Sequence, residues 1–170
     1  MIPGPEIAAT APGMRIHLIS VGRRMPGWVE EGYAEYAKRL PPECSLHLIE
    51  IDLPHRGKST IPAQAREDEC RRIRKAIPKG AAVVVLDGGG DGWSTETLAR
   101  RLADWLADGR DRALVIGGPD GLAPECLALA AQRWSQSALT FPHTLVRDNV
   151  AEQLYRAWSL LQGHPYHRGN

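Results

Sequence analysis

The chain has 170 residues, 43% hydrophobic and 24% charged, with a formal net charge of +1. That is enough chain to bury a real core, and the near-neutral balance argues against a globally polybasic nucleic-acid binder, leaving room only for a local or shared basic patch. No apolar run approaches the roughly 20 residues of a membrane span, and three widely spaced cysteines without a CxxC argue against a disulfide framework or a zinc site.

Residues 1–13 are rich in Pro, Ala and Gly, without a basic start or a long apolar centre, so they do not read as a secretory signal. The expectation is a disordered leader, with Met14 opening a single domain over residues 14–170. Residues 16–21 form a short apolar run that ends at Gly22, a first strand. Residues 28–40 place apolar or aromatic side chains at 29, 33, 36, 37 and 40, near helical period, and Pro41-Pro42 stops them. Residues 46–52 alternate as a second strand.

The segment 54–62 carries His55, Arg56, Gly57 and Lys58. It reads either as a solvated connection or as a phosphate-contacting arm. Residues 63–77 are charged and helical, with Pro78 and Gly80 beyond them. Residues 81–86 are fully apolar, as in a strand buried on both faces. A Gly-rich turn is expected at 87–92, then a helix capped by Ser94 or Thr95 that ends before Gly109. Residues 112–116 give a fourth strand, 117–122 a glycine loop, and Pro124 opens a short helix through Ala131. A fifth strand is expected at 137–141. The longest helix follows over 145–161, with one apolar stripe at 146, 150, 154, 157, 158 and 161.

Strands alternating with helices predict an α/β fold, a mostly parallel sheet flanked by helices. Ligands of such sheets sit outside the carboxyl ends of the strands. The loops after the third, fourth and fifth strands are therefore the expected site. Gly88-Gly89-Gly90 lacks the Gly-Lys-Ser/Thr of a phosphate loop, and the glycines at 117, 118 and 121 lack dinucleotide spacing. Each alone reads as a tight turn. Repeated after successive strands, they let backbone groups approach the edge of a base.

His143 is either an ordinary loop histidine or a proton acceptor. Arg147, one turn into the last helix, opposes the helix dipole; a salt bridge and a functional contact are both open. Glu152, Tyr155 and Arg156 can brace one another. His164, His167 and Arg168 read either as a frayed terminus or, with Pro165 and Tyr166 between them, as an ordered turn with an aromatic anchor; a metal site is not expected.

Tracts spread over residues 15–168 resemble the RlmH family, SPOUT-class methyltransferases of the large ribosomal RNA. They are Ser20-Val21-Gly22, Leu48-Ile49-Glu50-Ile51, the Ile116 to Leu122 loop, Leu139-Thr140-Phe141-Pro142-His143, Leu145-Val146-Arg147, the run Ala151 to Ala157, and Pro165-Tyr166-His167-Arg168. The resemblance implies a C-terminal trefoil knot and an S-adenosyl-L-methionine pocket formed by Leu86, Gly117, Gln136, Ser137, Ala138, Leu139, Thr140 and Phe141. It implies a cytoplasmic homodimer that methylates N3 of a pseudouridine in helix 69 of 23S rRNA within the 70S ribosome. His143, Arg147 and His167 would serve catalysis, and Arg56, Lys58, Tyr166 and Arg168 the RNA. The chain departs from the usual pattern at Asp148-Asn149, where an apolar pair is common. A non-catalytic ribosome-binding factor on the same fold is the alternative reading; a methyltransferase of tRNA is a third.

Overall fold

The structure is a computed structural model describing residues 13–53, 57 and 59–168. Most of the expected leader lies outside these residues, as do Arg56 and Lys58 of the basic arm.

The sheet is built from β1 (Met14–Val21), β2 (Cys44–Ile51), β3 (Ala82–Gly92), β4 (Arg112–Ile116) and β5 (Gln132–Ser135). All pairings are parallel, in the order β2-β1-β4-β3-β5. The inner strands explain this arrangement. Val83-Val84-Val85 and Ala113-Leu114-Val115-Ile116 are buried throughout, and strands apolar on both faces need helices on both sides.

The helices are α1 (Gly27–Ala37), α2 (Pro62–Ala76), α3 (Thr95–Asp108), α4 (Pro124–Leu127) and α5 (His143–Leu161). A short 3-10 turn, Pro165–Arg168, closes the described chain. Side chains alternate along β1 with the period of two that a strand imposes. Ile16 and Leu18 join Leu102 and Trp105 of α3 and Val150 and Leu154 of α5 in one core layer. Ile19 and Val21 join Cys70 and Ile73 of α2 and Cys126 of α4 in the other. Ser94 caps α3, its Oγ accepting from the Thr97 amide at 3.1 Å, and Gly109 ends it at φ +79°.

Two expectations need correction. The fifth strand is residues 132–135, not 137–141; it pairs with β3 through Trp134, its one buried side chain. Residues 137–141 form a loop instead. The glycine turn expected at 87–92 continues β3, with a register break between Leu86 and Asp91 where the strand bulges. Gly90 must be glycine there, because a Cβ would stand 2.7 Å from the Arg133 backbone.

Candidate active site

Because the sheet is parallel, β1, β3, β4 and β5 all end at one edge, and the site is built there. A cleft of about 320 Å³ opens at that edge, within the size range of small-molecule sites. Leu86 from β3 and Ile116 from β4 form its floor; Trp134 and Leu122 add apolar walls. The 117–122 loop folds back on itself, with the Gly121 amide donating to the Gly118 carbonyl at 3.0 Å and Gly121 at φ +77°. Gly117 has no room for a methyl group, since a Cβ would lie 2.9 Å from Leu122.

The opposite wall is the loop 136–141. Ser135 Oγ donates to the Ser137 carbonyl at 3.0 Å, and the Leu139 amide donates to Ser137 Oγ at 2.9 Å. These bonds shape the loop and leave Leu139 73% exposed. Every residue that the family resemblance assigned to the cofactor lines this one cleft, together with His143. Gln136 buries both ends of its carboxamide with no hydrogen-bond partner. Buried polar atoms of this kind call for a partner, and a polar ligand in the cleft fits that need.

His143 opens α5 at the cleft mouth, half-buried. Burial, and then the Arg147 charge, hold its pKa below the ordinary histidine value. The ring therefore stays neutral near pH 7 with a lone pair available.

Arg147 stands elsewhere than expected. Its side chain is 1% exposed and does not line the cleft. Its guanidinium donates to Glu50 Oε2 at 3.0 Å, to Ser20 Oγ at 3.2 Å and to the Gly22 carbonyl at 3.3 Å. The salt-bridge reading is the one realised: Arg147 ties the start of α5 to the ends of β1 and β2. The next residue, Asp148, packs against α1, where a Cβ on Gly32 would lie 2.5 Å from its Oδ2. Burial pushes the Asp148 carboxyl up to about 6, against the pull of Arg147.

Tyr166 is not an open stacking surface. Its hydroxyl donates to Glu152 Oε1 at 3.1 Å, and its ring meets Tyr155 edge-on at 4.7 Å. His167 and Arg168 follow it, and His167 Nδ1 meets the His164 carbonyl. None of the tail residues lines the cleft.

Residues 14–167 match the family model described as "Predicted SPOUT methyltransferase". The chain belongs to the SPOUT methyltransferase family. It is 63% identical over 155 residues to the ribosomal RNA large subunit methyltransferase H of Alkalilimnicola ehrlichii, covering 91% of this chain and 99% of that protein. The same-named protein of Nitrosococcus oceani is 56% identical over 157 residues, covering 92% and 100%. That of Thioalkalivibrio sulfidiphilus is 59% identical over 155 residues, covering 91% and 99%. The likeness to RlmH proteins read from the tracts is thus found along nearly the whole chain.

Sequence reasoning missed Ser20 and Glu50 as the partners of Arg147, and Trp134 as a cleft wall. Ser20 interrupts an apolar strand and is 0% exposed. A polar residue at a buried strand position was the available signal.

Proposed function

We propose that the protein transfers a methyl group from S-adenosyl-L-methionine to N3 of a pseudouridine in helix 69 of 23S rRNA, in the assembled 70S ribosome, as a cytoplasmic homodimer. The observation that carries this reading is the convergence of Leu86, Gly117 and residues 136–141 on one cleft with His143 at its mouth. The names of the relatives support an rRNA of the large subunit as substrate. Among the described residues no helix is long and apolar enough to cross a membrane. In this reading the C-terminal half is threaded as the family's trefoil knot, and residues 14–170 act as one domain.

When bound, S-adenosyl-L-methionine supplies an electrophilic methyl on its sulfonium. The chain supplies alignment, which is worth several kcal/mol for an in-line transfer. The apolar floor and the backbone of the two loops hold the donor, and Gln136 gives its carboxamide. The transfer would exchange the methyl's bond to the donor sulfur for one to N3 and release the N3 proton, which this chain must accept. His143, whose ring is neutral, or His167, or a water held by them, accepts that proton.

α5 separates those two histidines along the chain. His143 opens the helix at the cleft, whereas the tail that holds His167 folds back on Glu152 and Tyr155 and does not line the cleft. In the proposed homodimer a second copy would bring its His167 and Arg168 to this cleft. Arg168, Arg56 and Lys58 would then meet phosphate, while Arg147 and Tyr166 position other groups.

The test is transfer of labelled methyl from S-adenosyl-L-methionine to 70S ribosomes lacking the modification, with free 23S rRNA and bulk tRNA in parallel. Label confined to the 70S sample is expected. Label in the tRNA overturns the substrate, and label in free 23S rRNA overturns the assembled ribosome. No label anywhere, from folded dimeric protein, favours the non-catalytic ribosome-binding factor.

A further inference from the structure

Arg39 lies just past the end of α1 and belongs to neither the cleft nor its floor. Its side chain is 35% exposed, yet it is surrounded by rings. Its guanidinium carbon stands 5.2 Å from the Tyr36 ring centre, 5.4 Å from Tyr155 and 6.0 Å from Tyr166. Those distances fall in the range where a cation is drawn to an aromatic face. Glu35, one turn back on α1, accepts from Arg39 at 2.6 Å and fixes its direction.

Tyr166 also meets Arg156, whose guanidinium carbon is 5.1 Å from the ring centre. Glu152 accepts from both the Tyr166 hydroxyl and Arg156. The Tyr166 ring therefore has two guanidinium groups within 6.0 Å, that of Arg39 just past α1 and that of Arg156 on α5. Burial, first, and the Glu152 charge raise the pKa of its hydroxyl, so it remains a neutral donor. Among the described residues, the polar side-chain and ring contacts that tie the C-terminal turn to α1 and α5 run through Tyr166. The next two residues are His167 and Arg168.

We infer that Arg39 is a positioning residue: by clamping Tyr166 among the rings of Tyr36 and Tyr155, it sets where His167 and Arg168 stand for the reaction. The inference rests on the function proposed above, in which the tail serves the cleft of a second copy. Arg39 does not line the cleft of its own subunit. Its loss should slow the reaction without touching cofactor binding.

The experiment compares Arg39→Ala, Arg39→Lys and the exposed neighbour Lys38→Ala in the full-length dimer. One readout is 15N relaxation of the amides of residues 166–168; the other is methyl transfer to 70S ribosomes. In Arg39→Ala the order parameters of the tail should fall below about 0.6, the flexible range. Its kcat should fall about ten-fold, while the KM for S-adenosyl-L-methionine stays put and Tm drops only by the few degrees that loss of the ring contacts costs. Arg39→Lys should restore most of both, because an ammonium also binds ring faces, and Lys38→Ala should change neither. A tail that stays ordered in Arg39→Ala overturns the clamp. A disordered tail with full kcat overturns the positioning role. If the wild-type dimer itself transfers no methyl to ribosomes, the functional reading fails with the positioning role, and relaxation alone decides whether the clamp exists.

Discussion

His143 opens α5 at the cleft mouth, whereas His167 lies in the turn after the helix, which folds back on Glu152 and Tyr155 and does not line the cleft. In the homodimer proposed above, a site that uses both draws them from two chains, because His167 does not line the cleft of its own chain. Mixing His143→Ala protein with His167→Ala protein should therefore restore activity that each lacks alone. Random assortment makes half the dimers mixed, and each mixed dimer has one intact site of two, so about a quarter of wild-type turnover should return. Methyl transfer after subunit exchange measures this. Mixtures as inactive as their components would mean that the two histidines do not complete a shared site.

Arg147 is a brace whose removal should be read in stability. Its truncation to Ala leaves Glu50 facing a partly buried gap and breaks the bonds to Ser20 and Gly22. Removing one partner of such a pair costs about 3 kcal/mol. Urea unfolding of Arg147→Ala should show that loss, while calorimetry of the folded fraction should find S-adenosyl-L-methionine affinity nearly unchanged, since Arg147 does not line the cleft. An unchanged unfolding midpoint would remove the brace.

Four of the five strands and the long helices were legible because their periodicity reports burial directly. Val83-Val84-Val85 could only be a strand covered on both sides. β5 was not legible, since Gln132, Arg133 and Ser135 surround a single buried residue, Trp134, and an edge strand of four residues carries no period. Ala138-Leu139-Thr140-Phe141 resembled a strand because apolar residues there serve a cleft wall, with Leu139 left exposed. The cleft-lining residues came from resemblance to a family; pattern alone reached only the strand ends. Arg39 had no signature at all, because its three rings meet only once the chain has folded.

The cleft depends on the absence of a side chain at Gly117. A methyl there would meet Leu122 at 2.9 Å and the Gly121 carbonyl carbon at 3.2 Å, so the loop itself must move. Gly117→Ala should weaken S-adenosyl-L-methionine binding about ten-fold, equivalent to roughly 1.4 kcal/mol. Gly27→Ala is the matched control, because its added methyl meets nothing within 4 Å. Equal affinities by calorimetry would separate the 117–122 loop from the cofactor.

Asp148 should make stability depend on pH. Its carboxyl is pushed up to about 6 in the fold, chiefly by burial, from roughly 3.9 in an unfolded chain. Below about pH 4 it is protonated in both states and costs nothing. Between pH 4 and 6 the unfolded chain ionises first, so stability falls as pH rises; above 6 the loss is complete. The carboxyl is partly solvated, so screening reduces the loss to about 1 kcal/mol. Asp148→Asn keeps the shape and cannot ionise. Urea titrations at pH 4 and pH 7.5 should show the wild type losing about 1 kcal/mol relative to Asp148→Asn over that interval, whatever the other carboxylates add to both. Parallel pH profiles for the two proteins would mean that Asp148 is solvated, and that its packing against Gly32 does not strip it of water.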